Sequence, residues 1–65
     1  MDNLFTTEDL VRLLRVSPRT IHRERNERKL KFIKIRGRIR YREEDVREYL
    51  LQQYPEEVVR HTLGL

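Results

Sequence analysis

The chain lacks cysteine and tryptophan, and its 65 positions include only two glycines, two prolines and five aromatic residues. Without cysteine there are no disulfide bonds, thiolate metal sites or cysteine nucleophiles. No apolar run approaches the ~20 residues that a membrane span needs, and the acidic start Met1-Asp2 is unlike a signal peptide. We therefore expect one small cytoplasmic domain with a thin core and no membrane association.

Side chains suited to catalysis or metal binding are also scarce. Ser17 is the only serine, and the proline after it marks it as a helix cap rather than a nucleophile. His22 and His61 are 39 positions apart and have no cysteine to complete a metal site. These observations predict a protein that is not an enzyme, with no catalytic residues, cofactor or metal.

Positive charge is concentrated in the middle of the sequence. The whole chain has a net charge of +4, but residues 12–42 contain 13 Arg and Lys against two Glu, a local net charge of +11. Most of these cations are Arg, whose planar guanidinium binds phosphate or guanine in a bidentate manner. The pattern indicates a polyanionic partner, and the alternative is a merely solvated surface.

Capping residues and hydrophobic spacing predict three helices. The first covers about residues 7–15, behind a Thr6-Thr7 cap with acidic residues in its first turn. The second begins at Pro18, after the Ser17 cap, and runs to about residue 29, which gives the spacing of a helix-turn-helix. The third has the acidic residues 43–45 at its N-terminus and ends near Tyr54, with an inward stripe of Val46, Tyr49 and Leu50. Residues 55–65 form a short tail to which the pattern assigns no structure.

Alternating apolar and cationic residues predict a β-hairpin over residues 30–41. If Ile35 and Ile39 both face inward, the loop has an odd length, most simply the three residues Arg36-Gly37-Arg38. Tyr41 then also faces the core. The expected fold is mostly helical with a small hairpin, a winged helix-turn-helix, in residues 1–54.

The second helix presents a polar face suited to reading bases. With Ile21 inward at 100° per residue, three side chains point outward together and two flank them. Arg can bond both acceptors of guanine and Asn both groups of adenine in the major groove. The candidate major-groove residues are Arg19, Thr20, His22, Arg23 and Asn26.

The hairpin and two helix starts supply candidates for backbone contacts. The hairpin cations can reach phosphates or the adjacent minor groove, with Lys34 and Arg40 on the outer strand face. Thr7 and Ser17 are candidates for phosphate contact, although capping is the favoured role of both hydroxyls. The candidate hairpin residues are Lys34, Arg36, Arg38 and Arg40.

Two segments of the sequence give the most specific resemblance to a known protein family. They are Val16-Ser17-Pro18-Arg19-Thr20-Ile21, the turn into the second helix, and Arg40-Tyr41-Arg42-Glu43-Glu44-Asp45-Val46, the exit from the hairpin. With their spacing, residues 4–50 resemble the small excisionase and MerR-type helix-turn-helix family. The resemblance implies that the second helix enters the major groove and that Arg36 and Arg38 contact the minor groove or backbone. Where the family often has glycine, this chain has Arg15 and Arg28.

The resemblance implies a sequence-specific accessory protein that binds double-stranded DNA, foremost an excisionase of a phage or mobile element. Such a protein would place copies side by side on repeated sites, bend the DNA and help an integrase to assemble. Because the basic stretch ends at Arg42 and the acidic stretch starts at Glu43, we also expect copies to bind DNA cooperatively through head-to-tail self-association. A single-domain MerR-like transcriptional regulator is one alternative, and a basic interaction module with an acidic protein partner is another. RNA binding is disfavoured because Phe32 alone offers an exposed aromatic surface for stacking. We expect a cytoplasmic, nucleoid-associated protein without a small-molecule effector.

Overall fold

The computed structural model describes residues 4–64. Within that range the chain forms four helices and a small three-stranded antiparallel sheet. The elements are β1 (Leu4–Phe5), α1 (Thr7–Leu14), α2 (Pro18–Asn26), β2 (Ile33–Ile35), β3 (Arg38–Arg42), α3 (Glu43–Leu51) and α4 (Glu56–Leu63). No helix in residues 4–64 combines the length and apolar character needed to cross a membrane.

A reciprocal capping box starts α1. The Thr6 hydroxyl accepts from the Asp9 backbone N–H at 3.0 Å, and the Thr6 N–H donates to the Asp9 carboxylate at 2.9 Å. That backbone hydrogen bond is the largest of the effects that lower the pKa of Asp9. Thr6 is thus the cap, and the expectation that Thr7 caps α1 is wrong because Thr7 is already the first helical residue.

The second helix begins as predicted and ends earlier. Ser17 caps it through the Thr20 N–H at 3.2 Å, and Pro18 is its first residue. It ends at Asn26, not near residue 29, because Arg28 takes a left-handed conformation with φ 62°. The Arg28 N–H then bonds the Arg25 carbonyl, and the Lys29 N–H bonds the Glu24 carbonyl. These two bonds form a Schellman motif, which satisfies carbonyls at the helix end.

Replacing Arg28 with glycine should stabilise the protein. A side chain in the left-handed region costs about 1 kcal/mol relative to glycine, and the position adopts φ 62°. We expect Arg28→Gly to raise the free energy of unfolding by about 1 kcal/mol, or the melting temperature by roughly 4–8 °C. Arg28→Ala is the matched control, since it removes the side-chain charge without relieving the backbone. Equal melting temperatures for the two variants would contradict this account.

The hairpin has a two-residue loop rather than the predicted three-residue loop. Ile35 pairs with Arg38, so only Arg36 and Gly37 lie between the strands. Both have positive φ, 53° and 78°, as a type I′ turn requires. We call this hairpin, β2 and β3 with their turn, the wing.

The shorter loop changes which side chains share a face of the wing. Directly paired residues lie on the same face, and the pairs are Ile33 with Arg40, Lys34 with Ile39, and Ile35 with Arg38. Ile35 and Ile39 therefore lie on opposite faces of the hairpin, and Ile35 is 42% exposed. The expectation that Ile35 faces inward together with Ile39 is wrong. Lys34 and Arg40 lie on opposite faces, not together on the outer one.

Tyr41 joins the wing to the helices. Strand β1, which the sequence pattern did not predict, pairs with β3 so that Phe5 lies opposite Tyr41. Tyr41 is fully buried, as predicted, and belongs to one core cluster with the inward residues of every helix. The fully or nearly fully buried members of that cluster are Leu10, Ile21, Leu30, Tyr41, Val46, Tyr49, Leu50 and Val59.

Helix α3 and the tail complete the core. Helix α3 starts after Arg42, which donates from Nε to the buried Asp45 carboxylate at 2.9 Å. It ends at Leu51, earlier than the predicted Tyr54. The tail, left unassigned by the sequence pattern, forms α4 and packs against α3 and α1. Val59 on α4 is buried, whereas Val58 is 44% exposed.

Candidate nucleic-acid interface

The outward face of α2 is polar and accessible. Helix α2 packs on α1 through Ile21, which is completely buried. The opposite side chains Arg19, Arg23 and Asn26 are exposed, as is His22 on one flank. The structure therefore brings four of the five candidate major-groove residues to an accessible surface of one helix.

Thr20 occupies the other flank of α2 and is half-buried. Its hydroxyl lies 3.1 Å from that of Ser17, and its side chain lines a groove against α3 and α4. Ser17 itself is exposed, and its hydroxyl accepts from the Thr20 N–H. Both hydroxyls are thus engaged in the start of α2.

The wing tip lies beside the start of α1. One concavity is lined by Thr7 and Glu8 of α1 together with Arg25, Arg38 and Arg40. A second concavity is lined by Thr7 and Glu8 together with Pro18 and His22 of α2. Since Thr7 and Glu8 line both, the accessible surface is continuous from α2 across the start of α1 to the wing. We call this continuous surface the basic face.

Arg25 connects α2 to the wing. Its Nη1 donates to the Tyr41 hydroxyl at 3.1 Å, and the Thr7 hydroxyl lies 3.4 Å from the same oxygen. The Arg25 guanidinium also lies over the Phe32 ring, 5.8 Å from its centre. Helical periodicity places Arg25 near the inward side, so it is absent from the candidates. The position of Arg25 beside the wing cations is evident only from the hydrogen bond that it makes to Tyr41 on β3.

Ion pairing distinguishes most cations of α2 and the wing from those elsewhere. Cations on α3 and before β2 pair with carboxylates, for example Arg47 with Glu56 at 3.0 Å and Lys31 with Glu48 at 3.5 Å. Arg12, which lines the second concavity, also pairs with Asp9 at 3.0 Å. Within the described part of the chain, no ion pair neutralises six cations of α2 and the wing: Arg19, Arg23, Lys34, Arg36, Arg38 and Arg40. These positive charges are therefore available to an external anion.

Arg40 and Glu8 reduce the positive charge that the basic face presents to a ligand. The Arg40 guanidinium donates to the neighbouring Ile39 carbonyl at 2.7 Å and is half-buried, so it lies close to the strand. Glu8 is an exposed carboxylate in the first turn of α1, between α2 and the wing. A phosphate at this helix start would meet favourable backbone dipoles and an unfavourable like charge.

Aromatic surface away from the core is more extensive than the sequence indicated. Phe32 is 41% exposed, and Tyr54 is 48% exposed. The expectation that Phe32 alone offers an exposed aromatic side chain is therefore wrong. Phe32 is overlaid by Arg25, and Tyr54 lies at the α3–α4 connection.

Within residues 4–64, no three His, Asp or Glu side chains are grouped to hold a metal ion. No match to this chain is found among curated proteins or among solved structures. The family model described as "Helix-turn-helix domain" matches residues 4–54, a range that contains the α1–α2 pair and the wing. The chain therefore belongs to this helix-turn-helix family, which includes excisionase-like small DNA-binding proteins, and it is a DNA-binding helix-turn-helix protein.

Proposed function

We propose that this protein binds specific sequences in double-stranded DNA through the basic face and that it acts by binding rather than catalysis. The observation that supports this most strongly is the set of cations without carboxylate partners on α2 and the wing. Among them Arg38 and Arg40 line the concavity at the start of α1, and Arg19 and Arg23 are exposed on the helix whose Pro18 and His22 line the adjoining concavity. Counterion release from phosphates would supply affinity, and α2 would supply sequence preference.

The elements divide the contacts between bases and backbone. Arg19, Arg23 and Asn26 reach base edges in the major groove, with Thr20 and His22 at the margins. The wing cations contact phosphates or the adjacent minor groove, and Thr7 and Ser17 lie where phosphates would meet helix N-termini. In this proposal residues 1–54 carry the DNA contacts, whereas residues 55–65 are a tail that does not.

The contribution of α2 can be separated from that of the wing by two arginine substitutions. On a duplex enriched from a randomised pool, we expect Arg23→Ala to weaken binding by about 1–3 kcal/mol and to relax base preference. Arg38→Ala should weaken binding to enriched and random duplexes alike. Arg60→Ala, which removes an exposed arginine from α4, is the matched control and should leave affinity unchanged. Equal, sequence-independent losses for Arg23→Ala and Arg38→Ala would contradict the assignment of α2 as the reading element.

We further propose that the biological role is that of an excisionase, which binds and bends DNA cooperatively and assists an integrase. The distribution of charge supports head-to-tail contact between copies on repeated sites. Glu44, Glu56 and Glu57 are exposed on α3 and α4. Glu44 pairs with Arg42 and Glu56 with Arg47 within the chain, so the cationic wing tip of a neighbouring copy would share these two carboxylates and would also meet Glu57. Control of transcription uses the same contacts with DNA and is the alternative.

Cooperativity provides a separate test of this role. We expect a monomer in free solution, and at least tenfold tighter binding per site on three tandem sites than on one. Glu56→Gln and Glu57→Gln together should reduce this gain while leaving single-site affinity unchanged. Sedimentation and gel shifts provide the two measurements. A stable dimer without DNA, or the same affinity at every site number, would exclude the array. Activation of excision in a reaction with the element's integrase then distinguishes recombination from transcription control.

A further inference from the structure

The backbones of α2 and the wing do not pack closely on each other. Helix α2 packs on α1, and strand β3 packs on β1, α1 and α3. In residues 4–64 no comparable packing joins α2 to either strand of the wing. The position of the wing relative to α2 therefore depends on their common contact with α1 and on any side chain that bridges them directly.

The side chain of Arg25, in the last turn of α2, forms such a bridge. Its Nη1 donates to the Tyr41 hydroxyl on β3 at 3.1 Å, and its guanidinium lies 5.8 Å from the centre of the Phe32 ring. Phe32 immediately precedes β2, so the one side chain contacts both halves of the wing. A planar guanidinium with five N–H donors can stack on a ring and donate at the same time.

The contacts of Arg25 hold its side chain inside the protein without neutralising it. Within the described residues Arg25 takes part in no ion pair and is half-buried. Tyr41 is completely buried, and a hydrogen bond from a charged donor is roughly twice as strong as a neutral one. To reach outward to a phosphate, the guanidinium would have to give up both Tyr41 and Phe32. These contacts favour a role in holding the wing over a direct contact with DNA.

We propose that Arg25 is a positioning residue, which fixes the wing relative to α2 through Tyr41 and Phe32. This inference rests on the proposed function, in which α2 enters the major groove and the wing contacts phosphates or the adjacent minor groove. Two elements in a fixed relation bind a duplex with a smaller loss of entropy, because their positions are set on folding and not on binding. Breaking the bond to Tyr41 loosens the wing and weakens binding without removing a group that touches DNA.

The first measurement uses the free protein and does not depend on DNA. Tyr41→Phe removes the oxygen that accepts from Arg25 and keeps the ring and every positive charge. We expect the residual dipolar couplings of the wing amides to fall by roughly a third relative to those of α2, as when an order parameter of about 0.85 falls to about 0.6. Tyr49→Phe is the matched control, since it removes a buried hydroxyl that donates to Glu24 on α2 at 3.2 Å and does not contact the wing. Its wing couplings should equal those of the unmodified protein.

The second measurement is affinity for the duplex enriched from a randomised pool. We expect Tyr41→Phe to bind about tenfold more weakly, because the wing is then ordered on binding, and Tyr49→Phe to bind as the unmodified protein does. Arg25→Met breaks the same bond from the other side. Added to Tyr41→Phe, it should cause no more than about a twofold further loss, since two substitutions that remove one interaction are not additive.

Hydroxyl-radical footprinting at saturating protein locates the effect on the DNA. The protection that Arg38→Ala reduces in the unmodified protein marks the wing, and in Tyr41→Phe this protection should weaken. Protection of guanine N7 from dimethyl sulfate, which reports α2 in the major groove, should remain. Urea unfolding checks that each variant is folded, and Arg25→Met carries the coupling measurement if Tyr41→Phe does not fold.

Four results would overturn the positioning role. They are unchanged wing couplings in Tyr41→Phe, equal losses of affinity in Tyr41→Phe and Tyr49→Phe, a looser wing with unchanged affinity for DNA, and additive losses for Arg25→Met and Tyr41→Phe. The last would show that Arg25 contacts phosphate directly. Absence of DNA binding by the unmodified protein instead rejects the proposed function, and the couplings of the free protein still decide whether Arg25 holds the wing.

Discussion

Tyr41→Ala should lower the free energy of unfolding by about 3–5 kcal/mol, the usual cost of removing a buried aromatic side chain. Tyr41 is completely buried, and it connects β1, the wing and the two helices of the helix-turn-helix. Natural domains are stable by only about 0.05–0.15 kcal/mol per residue, or roughly 3–10 kcal/mol for 65 residues, so a loss of this size removes at least about a third of the total stability. Urea denaturation followed by circular dichroism measures the change.

Tyr41→Phe is the matched control because it retains the ring and removes only the hydroxyl. That oxygen accepts from Arg25 and lies 3.4 Å from the Thr7 hydroxyl. We expect a loss of about 1 kcal/mol, the net value of a hydrogen bond of this kind. If Tyr41→Ala and Tyr41→Phe were equally stable, the ring would not be the junction between wing and helices that the structure indicates.

The helix-turn-helix is the part of the fold that local sequence signals predict best. Ser17 and Pro18 mark the start of α2 through cap chemistry that depends on adjacent residues alone. Ile21 and Val46 identify the buried sides of α2 and α3 through helical spacing, and both are fully buried. These features are predictable because each depends on residues close together in the sequence.

The wing was predicted to exist, but its register was not predicted correctly. The three-residue loop followed from assuming that Ile35 and Ile39 share the core face. A protein this small leaves apolar side chains at its surface, and Ile35 is one of them. Arg36 occupies a left-handed position that favours glycine or asparagine, so its identity did not indicate a two-residue turn.

Long-range contacts account for most of what the sequence did not reveal. Strand β1 exists through pairing with β3, about 37 residues away, and two residues carry no strand signal by themselves. The position of Arg25 beside the wing depends on a hydrogen bond to Tyr41. The groove that Thr20 lines requires α4, whose residues show no clear apolar stripe until Val59 is placed against α1 and α3.

The second large effect is the dependence of DNA affinity on salt. If three wing cations, Arg36 at the turn and Arg38 and Arg40 on the face opposite to Lys34, each neutralise one phosphate, log K falls with log salt at a slope of about −2.7. Between 50 and 200 mM salt that slope corresponds to a loss of affinity of about 40-fold. Contacts from α2 or from helix starts would make the slope steeper.

Two single arginine substitutions, one in the wing and one outside the basic face, test whether the wing sets this salt dependence. Arg38→Ala removes one cation without a carboxylate partner from the wing, and it should make the slope shallower by about one. Arg60→Ala removes the same side chain from α4, outside the basic face, and should leave the slope unchanged. If both variants shifted the slope equally, general charge and not the wing would govern binding.

The most direct test of the central claim is the slope of log K against log salt for the unmodified protein on duplex DNA, measured by fluorescence anisotropy. Binding through the basic face predicts a slope of about −2.7 or steeper, which Arg38→Ala makes shallower by about one. A slope near zero would contradict the account, because it would mean that the cations of α2 and the wing make no contact with phosphate.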